Sequence, residues 1–524
     1  MKIWDNKKQE QNEINVPLPT KREEKPKRKE KGAKERKDRK EGFLYTCLSW
    51  LVRPAKQLRL NRQILVVAYF FAFLFVALMG YITYYVAIPG KEDATSSYNP
   101  RKNIFSERMI KGEIKTADDK TIAKSVKSGK DDYSRSYPAE RMFAHVVGYD
   151  LYGKSGLEAS ANYYLYRSHS NVFGRIINDL RDEKNQGDTV YSTLDYDLQQ
   201  TAYNALGGYK GAVVVMEPQT GKILAMVSKP DFNPNAISEN YEMLNKDEDS
   251  ALLNRATQGL YPPGSTFKIV TALEYIRENP KWKKFSYTCE GTTTIDHVRI
   301  KCAGNTAHGR VDLYGAMAHS CNNAFVTLAS GLDFASFRKT AEQLQLNQKL
   351  PINLEYSKSR FVLDGKSPAS EMPQTSIGQG DTLMTPLLNC MIVSSIANDG
   401  VMMTPYLTDY VESCDGKLVK KFTPSIYKEV MTENEAEELT KLLVKVVKEG
   451  SASALSGLRH SYAGKTGSAE HQEGRNTHAW FVGFSPVKNP KIAVCVIAED
   501  AGSGSSVAVP IAKKIFTTYY EKNK

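Results

Sequence analysis

The stretch YPPGSTFKIVTALEYI, residues 261–276, opens on a Pro-Pro-Gly turn and continues with the apolar spacing of a helix. Ser265 and Lys268 stand at i and i+3, so their side chains share one face of the first helical turn. A serine hydroxyl is a weak nucleophile until a base takes its proton. A lysine amine can be that base once desolvation or a neighbouring cation leaves it partly deprotonated. The helix N-terminus adds partial positive charge where an oxyanion would develop. Alone the pair is weak evidence, because composition by itself produces such spacings in a chain of 524 residues.

Two distant stretches give it meaning. Ser320-Cys321-Asn322 follows 55 residues after Ser265, and Lys465-Thr466-Gly467-Ser468 begins 145 after Ser320. The first offers a hydroxyl that can relay a proton and an amide that can hold a substrate carbonyl. The second offers a cation, two hydroxyls suited to a carboxylate, and a glycine where nothing bulky crowds a bound backbone. Each has a plainer reading, a helix cap or loop at 320–322 and a strand turn at 465–468. In this order the three match a signature of penicillin-binding proteins and serine β-lactamases, with Cys321 where Asp is usual.

The chain resembles a class B penicillin-binding protein, similar to the short single-pass A-type enzymes of mycobacteria and clostridia. Further landmarks are Ser155-Gly156-Leu157-Glu158, Thr193-Leu194-Asp195 with Leu198-Gln199, and Gly221-Lys222-Ile223-Leu224-Ala225-Met226 ahead of Pro230, Asn233, Pro234 and Asn235. Gly378-Gln379-Gly380 and Trp480-Phe481-Val482-Gly483-Phe484 complete the set, and the resemblance covers roughly 98–524. It weakens at Lys111-Gly112-Glu113-Ile114, where the family usually has Arg-Gly-x-Ile with Asp-Arg soon after.

The resemblance implies a peptidoglycan D,D-transpeptidase, a target of β-lactams, that needs no cofactor for catalysis. Ser265 would attack the penultimate D-Ala carbonyl of a stem peptide, forming an acyl-enzyme and releasing the terminal D-Ala. Lys268 would be the general base. Ser320, helped by Lys465, would pass a proton to the leaving amine. Asn322 would hold the peptide backbone and orient Lys268. Thr466 and Ser468, flanking Gly467, would bind the terminal carboxylate. The backbone N–H groups of Ser265 and Ser468 would form the oxyanion hole. A glycan polymerase in the membrane is the implied partner.

Outward from these motifs, GAVVVMEPQTGKILAMVS (211–228) reads as two strands around the turn at 218–221. GDTVYSTLDYDLQQTAYNAL (187–206) reads as a strand and an amphipathic helix. Apolar helices and strands alternate from there on. The expected fold is an α/β (α+β) domain, an antiparallel sheet packed by helices.

Ile64–Val86 is an uncharged run of 23 residues, long enough to cross a hydrocarbon core of about 30 Å. Arg53, Lys56, Arg59 and Arg62 before it place the N-terminus in the cytoplasm, and Tyr81, Tyr84 and Tyr85 suit the far interface. Of the formal charge of +12, residues 1–63 supply about +10, with 19 Lys/Arg against 9 Asp/Glu. The basic character therefore belongs to a Lys/Glu-rich tail, expected to be disordered, and nucleic acid is not an expected partner. The expected division is a tail over 1–63, a transmembrane helix over 64–86, a pedestal over 87–190 and a transpeptidase domain over 191–524.

A β-lactam-hydrolysing relative would need a base for deacylation, in a pattern Glu-x-Glu-Leu-Asn. Here Ala436-Glu437-Glu438-Leu439-Thr440 has Ala at the base position. Its acids are expected on the solvated face of a helix whose Leu439, Leu442, Leu443 and Val446 face the core. A β-lactam sensor would need a cytoplasmic effector domain, for which the tail has no pattern. Finally, Cys289, Cys302, His308 and Cys321 offer ligands for a closed tetrahedral zinc site, which some class B enzymes hold in this region. A Cys289–Cys302 disulfide and buried free thiols are the other readings.

Overall fold

The computed structural model describes residues 62–87, 108–129, 132–472 and 474–523. The chain divides into two units, Met1–Pro89 and Gly90–Lys524. In the first, helix α1 spans Arg62–Ala87. Its stretch Ile64–Tyr84, 21 residues with none buried, is long and apolar enough to cross a membrane. The tail expected over 1–63 lies, as far as Asn61, outside the described residues, and Arg62 already belongs to the helix.

The second unit begins with short strands: β1 (Met109–Ile110), β2 (Ile114–Lys115), β3 (Thr121–Lys127) and β4 (Tyr133–Ser136). Helix α2 (Val172–Leu180), β5 (Asn185–Gln186), β6 (Thr189–Ser192), α3 (Tyr196–Leu206), β7 (Gly211–Met216) and β8 (Ile223–Lys229) follow. Next come α4 (Lys268–Glu278), α5 (Asn322–Ala329), α6 (Pro386–Ala397), β9 (Thr408–Glu412), β10 (Leu418–Lys421) and α7 (Glu433–Glu449). β11 (Ala463–Ala469), β12 (His478–Ser485), β13 (Ile492–Ala498) and α8 (Val509–Lys522) end the chain.

The main sheet is antiparallel throughout, in the order β11–β12–β13–β7–β8. Every residue of β7, β12 and β13 is buried, which is why Ala212–Val215 and Ile492–Ala498 read as unbroken apolar runs rather than alternating ones. A strand buried on both faces needs a layer on each. Helix α6, buried along its whole length, is packed against β7 and β13. It starts cleanly because Thr385 caps the N–H of Leu388 and Pro386 occupies the first turn. Helices α3 and α8 pack on each other, α3 against β7 and β8 and α8 against β12 and β13.

A second sheet has the order β10–β9–β6–β2–β3–β4, with β2 and β6 parallel. Strand β9 pairs with β6, so this sheet joins segments about 220 residues apart in sequence and straddles the boundary expected at 190/191. Near it lies a buried ion cluster. Lys111 Nζ is 2.5 Å from both Asp150 and Glu158, and Arg135 Nε is 2.6 Å from Glu158. Lys111, where the chain departs from the family pattern, is thus paired with two carboxylates.

Helix α7 carries a capping box, Thr432 with Glu435, and buries Ala436, Leu439, Leu442, Leu443 and Val446. One expectation fails here. Glu438 is buried rather than solvated, held by Lys283 at 3.0 Å, Tyr314 at 3.0 Å and Lys441 at 3.3 Å.

Candidate active site

Ser265 is not on the helix itself. Gly264–Phe267 is a single 3-10 turn that runs directly into α4 at Lys268. The tighter winding still keeps Ser265 and Lys268 one turn apart. Gly264 has φ +54°, and a Cβ there would sit 3.0 Å from Ala469 Cβ and 3.2 Å from Ser468 O. Only glycine lets this turn approach β11 so closely in that backbone conformation. The turn is also pinned by its neighbours. Gly264 N–H donates to Gly378 O at 2.9 Å, and Trp480 Nε1 donates to Pro262 O at 3.1 Å.

Lys268 and Lys465 are both fully buried. Lys268 Nζ donates to Ser320 O and to Asn322 Oδ1, each at 2.7 Å, and lies 3.4 Å from Ser320 Oγ. Lys465 Nζ donates to the same Ser320 Oγ and to Thr466 O, each at 2.9 Å. Two lysine side chains 197 positions apart in sequence therefore converge on one hydroxyl. Ser320 sits with φ +53° just before α5, whose N-cap is Cys321. Asn322 Nδ2 donates to Lys301 O at 2.8 Å, which fixes its amide so that the oxygen faces Lys268.

Burial pushes the Lys268 amine down to about 7, against a smaller upward pull from Cys321 and Cys302. Burial, and then the charge of Lys268, holds Lys465 well below the ordinary lysine range. Taking an ammonium out of water favours its neutral form. At neutral pH Lys268 is thus about half amine, able to take a proton.

Lys465–Ser468 lies inside strand β11, not in a turn. The glycine has a different reason from the one its motif suggested. A Cβ on Gly467 would meet Pro263 O and Trp480 Cβ at 3.1 Å and Thr266 Cγ2 at 3.2 Å, so it lets the strand lie against the nucleophile's turn. Thr466 is buried, and its hydroxyl pairs with Ser451 Oγ at 2.5 Å. Ser468 is exposed at the strand's edge, its Oγ accepting from Gly504 N–H at 3.4 Å. Ser451 and Gly504 went unnoticed in the sequence. Neither sits in a motif, and only tertiary contact links them to the site.

The four possible metal ligands also come together. Cys289 Sγ and Cys302 Sγ are 3.7 Å apart, Cys302 Sγ and Cys321 Sγ 3.8 Å, and Cys289 Sγ and His308 Nδ1 3.5 Å. All four ligand atoms lie within 4.8 Å of one another. The sulfurs are too far apart for a disulfide, and all three are free thiols.

Sequence comparison agrees with this geometry. Residues 211–517 match the penicillin binding protein transpeptidase domain, and 111–190 match the penicillin binding protein A dimerisation domain. The chain is 34% identical to the peptidoglycan D,D-transpeptidase PbpA of Mycolicibacterium smegmatis, over 77% of this chain and 87% of that one. It belongs to the class B penicillin-binding proteins. The peptidoglycan D,D-transpeptidase MrdA of Acinetobacter baumannii is 28% identical over 73% of this chain and 65% of its own length. Among solved structures, the D,D-transpeptidase domain from Eggerthella lenta superposes with a TM-score of 0.72 at 31% identity, covering 79% of this chain and 99% of that one. Penicillin-binding protein A of Mycobacterium tuberculosis, solved as an imipenem acyl-enzyme, gives 0.72 at 29% identity with the same two coverages. The expected fold is the observed one.

Proposed function

We propose that this chain is a peptidoglycan D,D-transpeptidase acting through a Ser265 acyl-enzyme. The observation that carries the reading is the convergence of Lys268, one turn on from Ser265, and of Lys465 on the Ser320 hydroxyl. Lys268, half deprotonated at neutral pH, takes the Ser265 proton as the hydroxyl attacks the D-Ala carbonyl. The oxyanion develops between the backbone N–H groups of Ser265 and Ser468; loss of one such donor typically costs about 2.7–4 kcal/mol. Ser320, its hydroxyl held by Lys465, hands a proton to the leaving D-Ala amine. Thr466 and Ser468 receive the terminal carboxylate, with Asn322 along the peptide backbone. An amine from a second stem peptide then takes the acyl group.

Transfer rather than hydrolysis is supported by the sequence at α7, where the pattern Glu-x-Glu-Leu-Asn has Ala436 at its base position. Glu438 is committed to Lys283, Tyr314 and Lys441. The M. tuberculosis relative was captured as a β-lactam acyl-enzyme, so β-lactams should acylate this chain too. Labelling with a fluorescent penicillin tests the assignment. Wild type should label and Ser265→Ala should not. Incubation with stem peptides should yield cross-linked dimers, and hydrolysed product alone would place the chain with the hydrolases.

The Cys289, Cys302, His308 and Cys321 set fits a structural zinc. Zn–S bonds of about 2.3 Å in a tetrahedron put sulfurs about 3.8 Å apart, against 3.7 and 3.8 Å here. Bound there, the metal would serve as a structural cross-link. Cys302 follows Lys301, which holds Asn322, and Cys321 lies between Ser320 and Asn322, so these residues brace the proton-relay loop. Metal analysis of the purified protein should find one zinc, lost in Cys302→Ser.

The division into tail (1–63), membrane span (64–86), pedestal (87–190) and transpeptidase domain (191–524) is part of the same proposal. The cluster Arg53, Lys56, Arg59 and Arg62 favours a cytoplasmic N-terminus and an extracytoplasmic catalytic domain. A membrane glycan polymerase would supply the strands to be joined. Cross-linking in membranes, probed at the pedestal, tests for that partner.

A further inference from the structure

Helix α2 is turned inside out for a protein in water. It has no buried residue. Val172, Phe173, Ile176, Ile177 and Leu180 are 55, 76, 48, 47 and 82% exposed. Their spacing puts all five on one face. The polar face is the one fastened to the protein. Arg175 donates to Ser168 O at 3.2 Å, Asn178 donates to Asn185 Oδ1 at 3.1 Å, and Asp179 accepts from Asn185 Nδ2 at 2.8 Å. Asn171 caps the helix by accepting from Phe173 N–H. These bonds hold the apolar stripe outward, the reverse of the arrangement that burial favours.

The place of the helix in the fold says what covers that stripe. Just after α2, β5 pairs in parallel with β1, the first strand of the second unit, and Asn185 N–H donates to Arg108 O at 3.1 Å. This is where the chain enters the unit, 20 residues beyond the end of α1 at Ala87. Twenty residues reach at most about 70 Å. A helix of nine residues is about 13.5 Å long and, at about 10 Å across, presents roughly 135 Å². A stable protein pair needs about 800 Å² per partner, so a second copy is poorly served by this stripe. A bilayer interface accepts a single amphipathic helix, its apolar face about 5–10 Å deep. Arg181, one residue past the helix, is exposed, as are Asp182 and Glu183 after it.

We propose that the exposed apolar face of α2 lies in the interfacial layer of the bilayer that α1 crosses, a second, non-spanning attachment of the pedestal to the lipid surface. The inference rests on the membrane-anchor reading of α1 and is tested apart from it. Residues 90–524 form a separate compact unit. Solved relatives matching 79% of this chain over 99% of their own length stand as independent chains. The soluble piece 90–524 can therefore be floated with phosphatidylethanolamine–phosphatidylglycerol vesicles, wild type beside Phe173→Ser/Leu180→Ser. Both side chains are more than three-quarters exposed, so penicillin labelling should be unchanged. Wild type should co-float, with the bound fraction falling at least tenfold in the double variant. Wild type left at the bottom of the gradient, or a variant that floats equally well, overturns the proposal. So does a wild-type dimer that the variant converts to monomer in sedimentation, which would assign the face to a second copy. Carbonate extraction of the full chain checks α1 separately. Resistance to extraction with no flotation would remove only the α2 proposal, and release by carbonate would remove the anchor.

Discussion

If Lys268 is the base, the acylation rate must follow its deprotonation. Burial lowers this amine from 10.5 to about 7. The neutral fraction then rises from about 9% at pH 6 to about 91% at pH 8, a tenfold gain in rate that levels off above pH 8. An unperturbed lysine, near 10.4, would give about a hundredfold gain over the same interval with no plateau. The assay is the second-order rate of fluorescent-penicillin labelling between pH 5.5 and 9, at constant ionic strength. Stability must be followed alongside, because the same shift is a linkage term. Between the folded value near 7 and the unfolded value near 10.5, the unfolded chain binds more protons, so Lys268 makes stability rise with pH by up to about 1.4 kcal/mol per unit. Below about 7 both states are protonated at Lys268 and its contribution is constant. Lys465, also held well below the ordinary lysine range by burial, acts in the same direction. Circular dichroism at each pH separates loss of fold from loss of base. A labelling rate flat from pH 6 to 8, in protein still folded, would refute Lys268 as the base. A climb with no plateau would refute its burial-driven shift.

Four further outcomes are expected. Gly467→Ala puts a methyl group within 3.1 Å of Pro263 O and Trp480 Cβ; overpacking should cost about 1–3 kcal/mol in thermal unfolding and slow labelling, because the displaced turn carries Ser265. Ser451→Ala removes the partner of Thr466 Oγ1 and should weaken capture of substrates with a free carboxylate, raising KM more than it lowers kcat. Glu158→Gln leaves Lys111 and Arg135 without their shared carboxylate; a broken buried ion cluster should cost about 3–5 kcal/mol by denaturant unfolding, with the labelling rate of the folded fraction unchanged. If Cys289, Cys302, His308 and Cys321 hold the proposed zinc, a chelator should lower the melting temperature and loosen the 301–322 region in hydrogen exchange.

Chemistry confined to short spacings was legible in the chain. Ser265 and Lys268 had to lie one turn apart whether the turn was 3-10 or α, because residue spacing dominates at that distance. The apolar run of β7 was legible as a strand, while its burial on both faces was not. Helix α7 followed from its period, apart from Glu438, whose burial depends on Lys283 and Tyr314 far away in sequence.

What only the folded chain decided is the meeting of parts. No local pattern places Lys465 Nζ on Ser320 Oγ across 145 residues, pairs β9 with β6, or tells Thr466 to face Ser451. Nor does a motif explain its own glycine, since Gly467 answers to Pro263 and Trp480. Sequence determines which groups can react and how neighbours in the chain are spaced, because covalent geometry and helical or strand period act over a few residues. Packing determines which distant groups share a dry pocket, and with that their protonation, because desolvation and contact depend on everything that surrounds an atom in space.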